Sequence, residues 1–336
     1  MKILYISKNG PSPVRFYRGE GVLHRLRKLD PSIQLVFPNP GQEIWVQLLG
    51  ADMVYFQRST FDNDVSLATQ ALDMNIPIWY DIDDDVFNLP PENPASQQMD
   101  AHRADNCKWF LLNSTIVTVS TKQMAWVVEE QGRPAAGIIV VPNALDDYAF
   151  TDYDEWNGKR SDNQVTWRGG VTHQGDMLAF RGEFEKFLDA ASPKTKMLFI
   201  GYNPWFLAGN SRCSFQPYVE YYEFMVGFRR LSPKAHVVPL TDNPFNRAKS
   251  NLALIESVYA GAIPVVRDWE EWKWPGALTY STVEGFSQTM KMAFETGQDD
   301  AKKLWEANIE HLKAHYLLSK VNETRLQIVK TLGSMS

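Results

Sequence analysis

Short apolar runs alternate with longer stretches of helical spacing along this chain, and the alternation occurs twice. In the first half, residues 2–7, 33–37, 52–56, 76–82, 116–120 and 138–141 read as strands. Between them, 18–29 carries Val22, Leu23, Leu26 and Leu29 at helical spacing, and 65–74 and 121–131 read as helices. The second half repeats the pattern, with strands at 164–167, 197–201, 236–240 and 263–266 and helices at 176–191, 218–230 and 249–260. Strands separated by helices of ten or more residues build βαβ units and a parallel sheet, so the expected class is α/β. The polar, acidic stretch from Asp146 to Asn163 has neither period and reads as a linker. The expected organisation is therefore a Rossmann-like lobe at 1–150, a linker at 151–163, a second Rossmann-like lobe at 164–300 and a helical segment at 301–336. A length of 336 residues suits two such lobes facing a cleft. Ligands of open parallel sheets sit beyond the carboxyl ends of the strands, so the loops there are where chemistry is sought.

Composition removes several classes. No run of 18 apolar residues occurs, which argues against a membrane span. The opening Met1–Ile6 run is too short for a secretory signal and reads as the first strand. Two cysteines, Cys107 and Cys213, are too few for a disulfide framework, so reduced thiols and a cytoplasmic location are expected. A net charge of −6 gives no support for tight charge-driven binding to nucleic acid, yet leaves room for a local basic groove. The unusual feature is aromatic: 11 Trp, 13 Tyr and 18 Phe.

Four loops carry candidate chemistry. Trp167-Arg168-Gly169-Gly170 runs from a strand towards a helix; paired glycines admit a close backbone approach, and Arg168 offers a planar fork for phosphate oxygens. A tight turn capped by Asp176 is the competing reading. Around the start of the 249–260 helix, Asn246, Lys249, Ser250 and Asn251 form a donor-rich surface suited to an anion, and Glu256 lies two turns further on, placed to accept from ribose hydroxyls. Asp81, Asp83, Asp84 and Asp85 crowd one strand end and repel one another unless a cation or donors compensate them. On an extended backbone Asp81, Asp83 and Asp85 point to one face and Asp84 to the other. Three readings compete there: oxygen ligands for a divalent metal, a carboxylate facing an acceptor hydroxyl, or turn capping. Finally, the loop after the first strand presents Gly10, Arg15 and Arg18. His311 and His315 have i,i+4 spacing in a charged helix, which reads as a solvated face, whereas His173 lies in the glycine loop.

The 248–266 stretch resembles the donor-binding segment of family 4 glycosyltransferases, which have the GT-B fold. Glu256, Gly261 and Pro264-Val265-Val266 stand in that family's order, while the family's first glutamate falls on Ala248. Val117-Thr118-Val119-Ser120 and Val141-Pro142-Asn143-Ala144-Leu145-Asp146 resemble its late N-domain strands and the following turn. The combination of Asp81-Ile82-Asp83-Asp84-Asp85 with Phe245-Asn246-Arg247-Ala248-Lys249-Ser250 is similar to glycosyltransferases of tailed phages, which would place the protein in a host cytoplasm.

The resemblance implies transfer of a sugar from a nucleotide sugar, foremost a UDP-sugar, with retention of configuration and no required cofactor; a divalent metal is the less favoured option. Donor contacts would come from Arg168, Gly169, Gly170, Asn246, Lys249, Ser250, Asn251 and Glu256, and the acceptor side from Gly10, Arg15, Arg18 and Asp84. Asp81, Asp83 and His173 are the catalytic candidates. Hydroxymethylated pyrimidine DNA is the acceptor suggested by the phage-like motif, with a surface glycan or a protein competing. A GT-B-fold sugar-nucleotide epimerase and a catalytically silent nucleotide-sugar-binding protein are the readings from other classes.

Overall fold

The computed structural model describes residues 1–7, 13–39, 41–158, 161 and 163–335. Two six-stranded sheets, parallel throughout, form its framework. The first holds β1 (Lys2–Ser7), β2 (Gln34–Val36), β3 (Met53–Gln57), β4 (Ile78–Ile82), β5 (Ile116–Val119) and β6 (Ile138–Val140) in the order β2-β1-β3-β4-β5-β6. The second holds β7 (Gln164–Gly169), β8 (Lys196–Gly201), β9 (Cys213–Gln216), β10 (Ala235–Val237), β11 (Ile263–Arg267) and β12 (Leu278–Tyr280) in the order β12-β11-β10-β7-β8-β9. The central strands β3, β4 and β11 are buried along their whole length, because helices cover both faces of a parallel sheet. This is why their sequences read as largely apolar runs, with Asp81 in β4 and Gln57 and Arg267 closing β3 and β11.

Several helices depart from the expected bounds where local capping intervenes. The 176–191 stretch divides at Phe180 into Gln174–Ala179 and Arg181–Ala190. The stretch expected to start at 249 begins at Leu252, because Asn243 caps a separate turn, Pro244–Arg247, by accepting from the Asn246 amide. The 18–29 stretch becomes Glu20–Arg25 followed by a 3₁₀ turn, Leu26–Lys28. Strands β9 and β12 and the Ala101–Asn113 helix, capped by Asp100, extend the expected element list.

The terminal segment touches both lobes. Gln298–His315 lies on the second lobe, where Trp305 Nε1 donates to the Val258 carbonyl (3.0 Å) and Asn308 Oδ1 accepts from the Gly276 amide (2.9 Å). After the Leu145–Leu317 bridge, Leu318–Gly333 packs Leu318, Val321, Ile328, Val329 and Leu332 against Val22, Leu23 and Leu26 of the first lobe. Among the described residues, no helix is long and apolar enough to cross a membrane.

Two glycine substitutions should move stability in opposite directions. A Cβ on Gly276 would lie 1.8 Å from the Leu304 carbonyl oxygen, a backbone atom with little freedom to yield, so Gly276→Ala should cost about 3 kcal/mol. Gly227 is exposed within the Tyr221–Leu231 helix with open space around its missing Cβ, so Gly227→Ala should stabilise by about 0.5–1 kcal/mol. Urea unfolding of the two variants checks both signs.

Candidate functional site

The carboxyl ends of the two sheets face one another across a cleft of about 1260 Å³. Arg168, Gly169, Gly170, His173, Tyr218, Lys249 and Ser250 line it from the second lobe; Arg15, Tyr17, Arg58, Asp83 and Asp84 line it from the first.

On the second lobe's wall, β7 ends in Arg168 and Gly169. Gly201, at the end of the neighbouring β8, has φ of +96°, and a Cβ there would meet the Tyr218 ring at 2.5 Å and the Gly169 carbonyl at 2.6 Å. The glycine therefore permits a close approach that lays the half-exposed Tyr218 ring over the strand ends. Arg168 Nε donates to Glu256 Oε2 at 2.5 Å, and Tyr17 of the opposite lobe donates to Glu256 Oε1 at 2.9 Å. Burial lifts the Glu256 carboxyl above its ordinary range, against the pull of Arg168 and Tyr17. The Lys249 ammonium lies 4.3 Å from the centre of the Phe245 ring at the cleft edge. No side chain caps the N-terminus of the Leu252–Tyr259 helix, whose first residues, Leu252 and Ala253, border the cleft. This wall joins cationic side chains, glycines and a helix start, a combination suited to an anion.

His173 borders the same wall and is oriented by Asp176, which accepts from its Nδ1 at 3.1 Å and so leaves Nε2 as an acceptor. Burial, with the Lys249 charge next, holds the imidazole below its ordinary pKa. Rather than capping a helix, Asp176 sits inside one; its other oxygen receives the Thr241 amide and hydroxyl and the Asn246 amide group.

The opposite wall carries the carboxylates. Strand β4 ends at Ile82, so Asp83 and Asp84 leave the strand together, and the guanidinium of Arg58 binds both, reaching Asp84 at 2.7 Å. Arg58 follows β3 with φ of +50°, an uncommon conformation for a side-chain-bearing residue, stabilised here by its amide bond to the Asp81 carbonyl. Burial raises the Asp83 carboxyl. Burial opposes ionisation of Asp84 as well, but Arg58, Lys249 and His173 together hold its carboxyl below the ordinary range. Asp85 is buried and caps a turn, accepting from the Phe87 and Asn88 amides.

Four expected cleft residues are corrected by their surroundings. Arg18 and Asp81 are buried against each other, with bonds of 3.0 and 2.6 Å, instead of facing the cleft. Asn246 is buried on Asp176 and Thr241, and Asn251 turns away to donate to the Glu271 carbonyl at 2.8 Å. Ala248 is likewise buried, its carbonyl receiving the Thr121 hydroxyl. Arg15 pairs with Glu20 at the rim, and Gly10 lies outside the described residues. Arg58, Tyr17 and Tyr218 are cleft residues the sequence did not single out; Arg58 could have been found as the basic residue closing the apolar run of β3.

No family model and no curated protein matches the chain. Solved structures do. Sucrose-phosphate synthase from Thermosynechococcus elongatus superposes with a TM-score of 0.70 at 12% identity over all of both chains. HepE from Anabaena, solved with UDP and glucose, gives 0.65 at 11% identity, covering 99% of this chain and 100% of its own. An alpha-glucosyltransferase solved with UDP-glucose and DNA containing an abasic site gives 0.64 at 12% identity over 98% and 99%. The chain has the GT-B fold. In GT-B terms, the cationic wall belongs to the C-terminal lobe and the carboxylate wall to the N-terminal lobe.

Arg168→Met should leave the buried Glu256 carboxyl short of a partner, costing about 3 kcal/mol by urea unfolding at pH 7; adding Glu256→Gln should recover most of that loss. His173 also predicts a pH slope. Because its folded pKa is depressed, its contribution is complete above the unfolded value of about 6.5 and is lost as pH falls and the unfolded chain takes up the proton, by at most about 1.4 kcal/mol per pH unit. Unfolding midpoints from pH 7 to 5 should fall less steeply in His173→Asn.

Proposed function

We propose that the protein is a glycosyltransferase that moves a sugar from a nucleotide sugar, foremost a UDP-sugar, to an acceptor hydroxyl. The observation that carries this reading is the cleft itself: a cationic, glycine-lined wall opposite a carboxylate wall, within a fold shared with structures solved with UDP and UDP-glucose. On this reading the lobe at 164–300 holds the donor and the lobe at 1–150 faces the acceptor. The diphosphate rests on Gly169 and Gly170, beside Lys249, Ser250 and the start of the Leu252–Tyr259 helix, and Glu256 accepts from the ribose. Charge develops on the departing diphosphate, where Lys249 and the helix amides are already oriented to receive it. Arg168 contributes less directly, since Glu256 already binds its Nε.

Asp84 is the acceptor-side carboxylate of choice: its side chain is 34% exposed against 9% for Asp83, and Arg58, Lys249 and His173 hold its carboxyl below the ordinary range, whereas burial raises that of Asp83. His173, neutral at pH 7, accepts a sugar hydroxyl through Nε2. The proposed outcome is retention of configuration, with no metal required. For the acceptor, the neighbour solved with DNA supports a DNA substrate, hydroxymethylated pyrimidine DNA being the form the phage-like motif suggests, with a glycan or protein as the other arm of the test.

A thermal-shift and transfer screen of UDP-, GDP-, ADP- and TDP-sugars decides the donor. A UDP-sugar should stabilise the protein, with Lys249→Ala weakening its binding about tenfold. Stabilisation by none of them would remove the proposal. Parallel transfer assays with hydroxymethylated duplex DNA and with oligosaccharides identify the acceptor, and no label on DNA at low salt would reject the DNA arm.

A further inference from the structure

Glu256 lies behind the Arg168 side of the cleft and is only 2% exposed. Both oxygens already have donors, Arg168 on Oε2 and the Tyr17 hydroxyl on Oε1. Each oxygen could accept a second hydrogen bond, but burial closes the approach, so a ligand hydroxyl reaches this carboxylate where a covering side chain withdraws. Arg168 is part of β7 and is fixed in the same lobe as Glu256. Tyr17 belongs to the Pro13–Arg18 helix of the other lobe and travels with that lobe when the cleft opens.

The phenol is also held in place by more than its hydrogen bond. Phe16 stacks on Tyr221 of the C-terminal lobe with ring centres 3.9 Å apart, and Tyr17 meets the same ring edge-on at 4.9 Å. Across the seam, Asn143 Nδ2 donates to Ser250 Oγ at 2.8 Å. The closed arrangement therefore satisfies a buried carboxylate with a hydroxyl from the protein itself.

We infer that Tyr17 stands in for a ribose hydroxyl of the donor: its phenol takes the acceptor site the nucleotide needs, and it leaves as the lobes part. This inference rests on the reading of Glu256 as the ribose acceptor. Removing the phenol lowers the population of the self-satisfied closed form, and apparent affinity rises as the fraction of binding-competent protein rises. A tyrosine that merely packed the seam would, on losing its hydroxyl, leave affinity unchanged or lower it.

Calorimetric titration of the full chain with UDP and with 2′,3′-dideoxy-UDP tests this. Tyr17→Phe keeps the ring contacts and should bind UDP about tenfold tighter than the wild type. Tyr17→Met, which also lacks the hydroxyl, should shift in the same direction, and thermal unfolding without ligand confirms that both variants fold. Glu256→Gln should bind UDP more weakly and lose the preference for UDP over the dideoxy analogue. UDP affinity that is unchanged or reduced in both Tyr17 variants, with the Glu256→Gln loss intact, overturns the role of Tyr17 alone. Full retention of that preference in Glu256→Gln overturns the ribose reading and the role of Tyr17 with it.

Discussion

The buried ion pair of Arg18 with Asp81 is the constraint around which the lobes are assembled. A guanidinium that is 1% exposed must have each donor met, because an unpaired buried charge costs several kcal/mol. Arg18 meets this demand from three directions: both oxygens of Asp81 at the end of β4, the Val141 carbonyl and the Asn143 side chain after β6. Thr118 of β5 donates to the same aspartate at 2.6 Å. Asn143 in turn donates to Ser250, so this network runs from the middle of the N-terminal sheet to the C-terminal wall of the cleft. The last helix closes over it with Arg325, whose guanidinium is pulled down to about 9 by burial and then by the charge of Arg18. A substitution at Arg18 would thus disturb the first helix, β4, the turn after β6 and the lobe seam together.

The aromatic excess has a structural use in the same region. Rings from four parts of the chain meet between the lobes: Phe16 and Tyr17 from the first helix, Phe150 and Trp156 from the connecting stretch, Tyr221 and Tyr259 from the C-terminal lobe, and Trp305 from the terminal segment. Stacked and edge-on pairs add about 0.5–1.5 kcal/mol each beyond area burial and hold a defined mutual geometry. The tyrosine hydroxyls at its border, Tyr17 on Glu256 and Tyr222 on Asp146, tie this apolar material to charge on either side.

What the sequence disclosed follows from which forces are local. Strands β1, β3, β4 and β11 were legible because burial on both faces requires a largely apolar run, visible without any partner. Strand β9, Cys213–Gln216, is a half-exposed edge with no such run, and β12 is a three-residue strand outside the expected set. At the site, Arg168 was singled out from its place after a strand and borders the cleft, and Glu256, singled out within a helix, is buried against it. Arg18 and Asp81 were misassigned because their pairing spans 63 residues, and an arginine in a loop looks the same whether it meets solvent or a buried carboxylate. Asn246 and Asn251 failed similarly: each side-chain amide serves an acceptor, Asp176 or the Glu271 carbonyl, that no local pattern announces.

Charge shows why global composition was a weak guide to the partner. The chain is acidic overall, but the cleft divides its charges between two walls. On the N-terminal wall one guanidinium, Arg58, serves both Asp83 and Asp84, while Arg15 and Arg25 are each paired with a carboxylate, Glu20 and Asp146. On the C-terminal wall, which also carries Glu220 and Glu223, Glu256 pairs with Arg168, and Lys249 acts on Asp84 across the cleft. In a cleft with low-dielectric walls such opposed charges interact more strongly than they would in water. On the proposed reading, the phosphates of a nucleotide sugar lie beside Lys249 and its sugar towards Asp84. That orientation depends on where a few charges sit relative to the cleft, which the net value of −6 does not record.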